Sequence, residues 1–152
     1  MTGNTEKMHY RIIELTLDNY DEFNGLFETL SSLRPTNIAD DIKARSILES
    51  INKQDGHIFV AVLDDNNIIG CTTILIEHKF IHDGSYVGHI EDVSTRFGYN
   101  GIGVGKSVVS TAIEYGKSRG CYKIILDCCN NTVGFYEKLG FKRNENHMRL
   151  DL

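Results

Sequence analysis

A glycine-rich turn between a predicted strand and a predicted helix, within residues 89–106, constrains this chain more than any other feature. Two adjacent carboxylates, Glu91 and Asp92, precede the turn, and glycines stand at 101, 103 and 105. Glycine lets the backbone approach a ligand closely. A helix N-terminus presents unpaired N–H groups at the positive end of the helix dipole, which favours phosphate. The segment therefore predicts a phosphate-bearing cofactor beside a polar pocket.

The spacing of the glycines narrows the choice of cofactor. The dinucleotide fingerprint G-x-G-x-x-G does not match glycines at alternate positions. A nucleotide-triphosphate loop, G-x-x-x-x-G-K-S/T, matches at Gly105, Lys106 and Ser107, but Asn100 occupies the place of its first glycine. An NTPase therefore stays open as an alternative, as does a turn that only connects a strand to a helix.

Composition and charge are typical of one globular domain. The chain has 152 residues, of which 41% are hydrophobic and 24% charged, so we expect a single domain over 1–152. A net charge of −5 without a basic block disfavours nucleic acid as a partner. The first seven residues are polar, so no signal peptide is predicted. No apolar run reaches the ~20 residues of a membrane span, so no membrane partner is expected.

The four cysteines do not predict a metal site or a disulfide framework. Cys71, Cys121, Cys128 and Cys129 lack the paired spacing of a zinc site. Adjacent cysteines are also poor disulfide partners. We therefore expect no metal, and reduced thiols in a cytoplasmic protein.

The hydrophobic periodicity predicts an α/β domain whose central mixed β-sheet is flanked by helices. The element order is one strand, two helices, a three-strand meander and then α-β-α-β. Strands are predicted at 10–15, 58–63, 68–80, 86–93, 121–127 and 147–152.

Four helices are predicted between these strands. The first begins at Asp18 or Asn19 and carries Tyr20, Phe23, Phe27 and Leu30. The second follows Pro35, ends before Gly56, and buries Ile38, Ile42, Leu48 and Ile51 on one side. The third follows the glycine-rich turn and ends at Gly120. The short fourth carries Phe135, Tyr136 and Leu139, and Gly140 ends it.

The glycine-rich turn resembles the Q/R-x-x-G-x-G/A loop of the GNAT acetyltransferases, although Asn100 stands where Arg or Gln is usual. Segments 77–82, 88–93, 121–128 and 133–141 together resemble the glucosamine-6-phosphate N-acetyltransferases. This resemblance implies the GNAT fold and transfer of acetyl from acetyl-CoA to the 2-amino group of glucosamine 6-phosphate. It also implies a role in UDP-N-acetylglucosamine biosynthesis and a homodimer whose sugar site is completed by the partner chain.

The same resemblance assigns residues to the acetyl-CoA site. The backbone of three strand residues pairs with the pantetheine arm, the turn cradles the pyrophosphate, and Tyr136 faces the CoA sulfur. In order, these cofactor-binding residues are Val93, Ser94, Thr95, Gly101, Ile102, Gly103, Val104, Gly105, Lys106 and Tyr136.

The resemblance also assigns the amino-sugar site. A phosphomonoester carries close to two negative charges at neutral pH, so local cations must hold it. The candidate cations are Lys79, His82 and Lys123. The family's arginine on the last strand corresponds either to Arg149 or, in the other register, to Asp151, which leaves that contact open. The substrate-binding set is Ser31, Lys79, Phe80, Ile81, His82, Glu91, Asp92, Val93, Tyr122, Lys123 and Asp127, and the catalytic set is Tyr136, Asp127 and Glu91.

Two adjacent carboxylates face one pocket only on an irregular strand. On a regular strand Glu91 and Asp92 point to opposite faces, so we expect a β-bulge at this point, as in GNAT folds. The alternatives that remain are a GNAT enzyme for another amine, such as a polyamine, aminoglycoside or peptide, and a non-enzymatic domain that senses acyl-CoA.

Overall fold

The structure, a computed structural model, describes residues 8–152 and contains one five-stranded sheet. The strands lie in the order β1-β2-β3-β4-β5, with β1 to β4 antiparallel and β5 parallel to β4. This is the predicted mixed sheet. The elements are β1 (Tyr10–Leu15), α1 (Leu26–Ser31), α2 (Asp41–Lys53), β2 (Gly56–Leu63), β3 (Ile68–His78), α3 (Ile81–Gly84), β4 (Tyr86–Thr95), α4 (Val104–Ser118), β5 (Cys121–Ile125) and α5 (Val133–Glu137), with 3-10 turns at Tyr20–Glu22 and Asn130–Thr132.

Helices cover both faces of the sheet and divide the core into two clusters. On one face, Ile58, Val60 and Val62 of β2 pack with Leu48 of α2. On the other face, Phe59 and Ala61 pack with the valines of α4. Because β2 is buried on both faces, its sequence is continuously apolar rather than alternating.

The predicted β-bulge is present in β4. Opposite β3, Cys71 pairs with Ser94 and Thr73 pairs with Glu91, so Asp92 and Val93 together face Thr72. Asp92 has a φ of 51°, in the left-handed region. The bulge turns the backbone so that the two carboxylates are no longer forced onto opposite faces.

The predicted first helix is wrong as one continuous element. Asn19 does not cap it, because its side chain instead bonds the Thr16 amide and the Glu14 carbonyl. A single 3-10 turn follows, and Asn24 pairs with Asn67. Gly25 then adopts a φ of 92°, and α1 begins only after it.

The second helix is also shorter than predicted, since it begins at Asp41. The Asp40 side chain accepts hydrogen bonds from the amides of Ile42 and Lys43, at 3.0 and 3.3 Å. Ile38 therefore precedes the helix, and Ile42 is 80% exposed rather than buried. Leu48 is buried as predicted.

Three further strand predictions need correction. β3 ends at His78, and a one-turn helix that includes left-handed His82 and Asp83 follows. β5 ends at Ile125, two residues before Asp127. Residues 147–152 form neither strand nor helix, and no strand within residues 8–152 pairs with them. The predicted absence of a signal peptide concerns residues 1–7, which lie outside the described residues.

Within residues 8–152, no helix combines the length and apolarity needed to cross a membrane.

Candidate active site

The glycine-rich turn forms an anion cradle at the start of α4. Gly101 and Gly103 have φ values of 81° and 90°, a region that other residues rarely adopt. The first intrahelical bond of α4 runs from the Ser107 amide to the Gly103 carbonyl, at 3.0 Å. The amides of Val104, Gly105 and Lys106 therefore lack an intrahelical acceptor. This arrangement fits the pyrophosphate of a CoA-type cofactor.

β4 and β5 separate next to this cradle. Their pairing begins at Tyr86 and ends where His89 meets Ile125. In the described part of the chain, the backbone from Ile90 to Thr95 pairs with β3 alone. An exposed strand edge can hold an extended ligand through main-chain hydrogen bonds. The predicted pantetheine contacts at Val93, Ser94 and Thr95 lie on this open edge.

Tyr136 lies on α5, half-buried against two aromatic rings. Its ring meets those of Phe135 and Phe141 edge-on, with centroids 4.9 and 5.9 Å apart. Burial raises the pKa of Tyr136, and negative charge at Cys128, Cys129 and Asp127 adds to the rise. The phenol is therefore protonated at neutral pH and is available as a hydrogen-bond donor.

Three carboxylates gather at the bulge. Loss of hydration raises the pKa of Glu91, with the charges of Asp127 and then Asp92 as further causes. Asp127 lies 4.0 Å from His147, measured from Oδ2 to Nε2. The structure thus brings the three predicted acidic site residues into one group, which we call the carboxylate group.

The predicted phosphate ligands form a second group. The His82 ring stacks on Tyr122, with centroids 4.0 Å apart, and Lys123 Nζ lies 5.6 Å from the Tyr122 ring centre. Lys79 directly follows β3 and precedes the turn that carries His82. Exposed Phe80 lies in the turn between Lys79 and His82. We call Lys79, His82, Tyr122 and Lys123 the cationic group.

The two groups lie at different ends of β4. Lys123 is opposite Val87, four residues before Glu91, and a strand rises ~3.3 Å per residue, which places them about 13 Å apart along the strand. A hexosamine 6-phosphate spans seven bonds from nitrogen to phosphorus, at most about 10 Å. This backbone spacing exceeds the length of the ligand, so contact with both groups depends on the reach of the side chains.

Two predicted substrate residues are engaged elsewhere. The Ser31 hydroxyl donates to the Thr36 carbonyl at 2.9 Å and accepts from the Thr36 amide at 3.1 Å, which fixes the chain after α1. Arg149 is exposed and pairs with Asp151, its Nη2 lying 2.6 Å from Oδ1.

Sequence reasoning missed the partners of Lys79. Glu77 contacts Lys79 Nζ at 2.7 Å through one oxygen and His89 Nε2 at 2.9 Å through the other. The contact with Lys79 is the main cause that lowers the pKa of Glu77. The same contact raises the pKa of Lys79. The strand alternation was the signal, because Glu77 and Lys79 are two residues apart and so share a face.

A protein-family model identifies the family to which the glycine-rich turn belongs. The model described as "Acetyltransferase (GNAT) family" matches residues 18–141. This chain belongs to the GNAT acetyltransferase family. Family membership confirms the predicted fold. It also favours acetyl-CoA over a nucleoside triphosphate as the ligand of the glycine-rich turn.

Individual GNAT relatives are more informative about subfamily. The chain is similar to the glucosamine 6-phosphate N-acetyltransferase of Trypanosoma brucei brucei, at 47% identity over 85 residues, which are 56% of this chain and 58% of that relative. The chain thus spans less than two thirds of this relative. It is 34% identical to glucosamine 6-phosphate N-acetyltransferase 1 of Dictyostelium discoideum over 91% of this chain and 88% of that one.

A solved GNAT structure agrees over nearly the whole length. The glucosamine-6-phosphate N-acetyltransferase of Arabidopsis thaliana superposes with a TM-score of 0.85 at 31% identity. The match covers 94% of this chain and 98% of that chain. The GNAT fold that the resemblance implied is therefore confirmed.

Proposed function

We propose that this GNAT protein transfers the acetyl group of acetyl-CoA to the 2-amino group of D-glucosamine 6-phosphate, releasing N-acetylglucosamine 6-phosphate and CoA. The observation that carries the proposal is the open edge of β4, which connects the anion cradle to the carboxylate group. The choice of acceptor is supported by the similarity to relatives of that name. In this proposal the product supplies UDP-N-acetylglucosamine biosynthesis in the cytoplasm.

The proposed reaction is direct attack of the amine on the thioester in a ternary complex. The amine must be neutral, and a sugar amine resembles an α-amino group, with a pKa of about 7.7–8.0. At pH 7.5 roughly a quarter to two fifths is already free base on those values. A strong general base is therefore not required. Asp127 serves first to orient the amine, and Glu91 and Asp92 bind sugar hydroxyls or the amine.

Tyr136 stabilises the leaving group in this proposal. A free tyrosine has a pKa of about 10 and a thiol one of about 8.5, so full proton transfer to the thiolate is uphill. The raised pKa of Tyr136 strengthens this argument. The phenol therefore acts by donating a hydrogen bond to the developing thiolate. A backbone N–H at the bulge, near Val93, supplies the donor for the oxyanion.

The proposed active form is a homodimer whose sugar site takes residues from both chains. The resemblance to the glucosamine-6-phosphate N-acetyltransferases supports this arrangement, because it implies a sugar site completed by the partner chain. The C-terminal segment gives further support. Met148, Leu150 and Leu152 alternate in sequence and are 86%, 84% and 116% exposed. β5, at the edge of the described sheet, offers a free edge for such a segment.

Sedimentation equilibrium of the purified chain tests the dimer. We expect twice the chain mass, and we expect Leu150→Asp to shift the population toward monomer and to reduce turnover together. Lys138→Asp, an exposed change directly after α5 and outside the segment, is the matched control. A wild-type monomer with full activity would contradict the shared site.

A thiol-release assay tests the acceptor. Acetyl-CoA is supplied with glucosamine 6-phosphate, glucosamine, glucosamine 1-phosphate, spermidine or a peptide amine. Turnover restricted to glucosamine 6-phosphate is expected. Turnover with spermidine or the peptide instead would retain the GNAT family but overturn the proposed acceptor. CoA binding without release from any amine would favour an acyl-CoA sensor.

A further inference from the structure

The bulge in β4 removes two backbone carbonyls from the regular ladder. Where β3 and β4 pair regularly, carbonyls accept from amides of the neighbouring strand. Between the Cys71–Ser94 and Thr73–Glu91 pairs this pattern breaks, and two residues of β4 face one residue of β3. Backbone carbonyls that leave the ladder take other partners, and at the bulge two of them accept from side chains of β3.

Two consecutive side chains of β3 supply these donors, one from each face of the sheet. The Thr72 hydroxyl donates to the Glu91 carbonyl at 3.2 Å. The Cys71 thiol donates to the Asp92 carbonyl at 3.8 Å. Thr72 is 1% exposed and Cys71 2% exposed, so solvent does not compete for either bond.

The Cys71 thiol remains a donor throughout the working pH range. Burial raises the pKa of Cys71 to about 12, and the charge of Asp92 adds to the rise. A thiolate would lose the proton that the Asp92 carbonyl accepts. The contact with Cys71 is long, however, and thiols are weak donors, so the Thr72 hydroxyl is the stronger of the two bonds.

The direction of these carbonyls fixes the direction of the amides behind them. In a planar trans peptide the C=O and the following N–H point to opposite sides. The Glu91 carbonyl shares its peptide with the Asp92 amide, and the Asp92 carbonyl shares its peptide with the Val93 amide. The Thr72 bond therefore turns the Asp92 amide away from the Thr72 hydroxyl, and the Cys71 contact turns the Val93 amide away from the Cys71 thiol.

We infer that Thr72 is a positioning residue for acetyl transfer, because its hydroxyl holds the Glu91 carbonyl and so fixes the Asp92 amide as a donor to the thioester oxygen. Cys71 assists by fixing the neighbouring Val93 amide. This inference rests on the proposed function, since those amides serve as the oxyanion donors. Thr72 itself touches neither substrate. Its contribution is realised in the transition state, where negative charge develops on the oxygen, rather than in substrate binding.

Three threonine variants test the inference. Thr72→Val replaces the hydroxyl by a methyl group of the same shape, and Thr72→Ser keeps the donor. Thr29→Val is the matched control, because Thr29 is equally buried and its hydroxyl also donates to a backbone carbonyl, that of Ile68, at 2.9 Å. The measurements are kcat and KM for both substrates, with thermal melting of each variant.

Loss of an oxyanion-hole donor lowers kcat by about 100- to 1000-fold. An amide that is present but misdirected should lower kcat by a smaller factor. We expect Thr72→Val to lower kcat about 10- to 100-fold, with both KM values within about threefold of the wild type. Thr72→Ser should recover most of kcat, and Thr29→Val should lose stability without losing kcat. Full kcat in Thr72→Val, or an equal loss of kcat in Thr29→Val, would overturn the inference.

Two further arms keep the outcome interpretable. If Thr72→Val does not fold, Cys71→Ala removes only the weaker donor and should lower kcat severalfold with unchanged KM; full kcat there would count against the inference.

The wild type is assayed first with each of the amines named for the thiol-release assay. If another amine is the acceptor, the proposed function fails, and the threonine series with that amine still decides the role of Thr72.

Discussion

His82 stacks on Tyr122 with ring centroids 4.0 Å apart, which joins the turn after β3 to the edge strand β5. Lys123 Nζ lies 5.6 Å from the ring centre of the same tyrosine. An aromatic residue thus holds an imidazole and an ammonium group close together on the surface. This is the arrangement that a phosphate group requires from a protein with a net negative charge.

Removal of one of these cations should weaken the binding of the sugar phosphate selectively. Hydrogen bonds to charged groups contribute about 1.5–3 kcal/mol, so Lys123→Gln should raise KM for glucosamine 6-phosphate about 10- to 100-fold. KM for acetyl-CoA and for unphosphorylated glucosamine should not change. Steady-state kinetics with all three substrates measure this. Lys43→Gln, an exposed change on α2, is the control; an equal effect on glucosamine would show that Lys123 does not bind the phosphate.

Tyr136 should affect the chemical step rather than binding. Because the phenol donates a hydrogen bond only when the thiolate develops, Tyr136→Phe should lower kcat by about 10- to 1000-fold. Acetyl-CoA binding, measured by calorimetry, should change little. Tyr20→Phe removes a partly buried phenol on the opposite face of the sheet and should keep full kcat. A Tyr136→Phe enzyme with full kcat would remove this residue from the mechanism.

The glycine at the start of α4 should be required for backbone reasons. A Cβ at Gly103 would meet only the Tyr10 hydroxyl, at an ordinary 3.7 Å, so the penalty arises from its φ of 90°. A left-handed conformation costs other residues about 1–2 kcal/mol, and Gly103→Ala should lose that much stability and raise KM for acetyl-CoA. Urea denaturation and kinetics measure both effects.

Gly134 provides the comparison for this prediction. It lies inside α5, and an added Cβ would have nothing within 4 Å. Gly134→Ala should therefore be neutral, or should stabilise the protein by up to ~1 kcal/mol. Equal destabilisation by the two substitutions would show that the left-handed backbone at Gly103 is not the cause.

A charged network far from the carboxylate group should dominate the acid sensitivity of the fold. Arg119 donates to both oxygens of Asp55, at 2.7 and 2.6 Å, and His57 and His78 contact the same carboxylate at 2.8 and 2.9 Å. Despite the opposing effect of burial, these contacts, led by Arg119, hold the pKa of Asp55 well below its ordinary value.

The sign of the pH dependence follows from that lowered pKa. A carboxylate with a depressed folded-state pKa contributes stability that is complete above its unfolded pKa of about 4 and is lost as pH falls further. Asp55→Asn should lower the free energy of unfolding by about 1–3 kcal/mol at pH 7, and the difference should shrink below pH 4. Urea titrations at several pH values measure this. Asp64→Asn, in an exposed turn, should show no such difference.

The sequence predicted those elements whose environment repeats regularly along the chain. The alternation and apolar runs of β1 to β4, and the glycines that bound α4, specify local structure with little help from tertiary contacts. The bulge at Asp92 was predicted from a chemical requirement, since two adjacent carboxylates cannot otherwise share a pocket. The assignment of Lys79, His82, Tyr122 and Lys123 to one site came from the resemblance of two segments, 77–82 and 121–128.

Tertiary contacts decided the elements that sequence reasoning missed. Gly25 interrupts the first predicted helix because the chain passes close to β3 there; a Cβ would lie 3.0 Å from Arg96 Nη1 and 3.2 Å from the Ile68 carbonyl. Residues 147–152 have the alternation of a strand, but a strand needs a neighbour, and one described chain supplies none. The separation of the two site groups was hidden for the same reason, since it depends on strand register.

The ratio of kcat/KM for glucosamine 6-phosphate to that for glucosamine, both with acetyl-CoA, tests the central claim most directly. The account predicts a preference of at least about 100-fold for the phosphorylated sugar, because each charged contact contributes about 1.5–3 kcal/mol. Lys123→Gln should reduce this preference. Equal values for the two sugars, or faster turnover of an unphosphorylated amine, would contradict it.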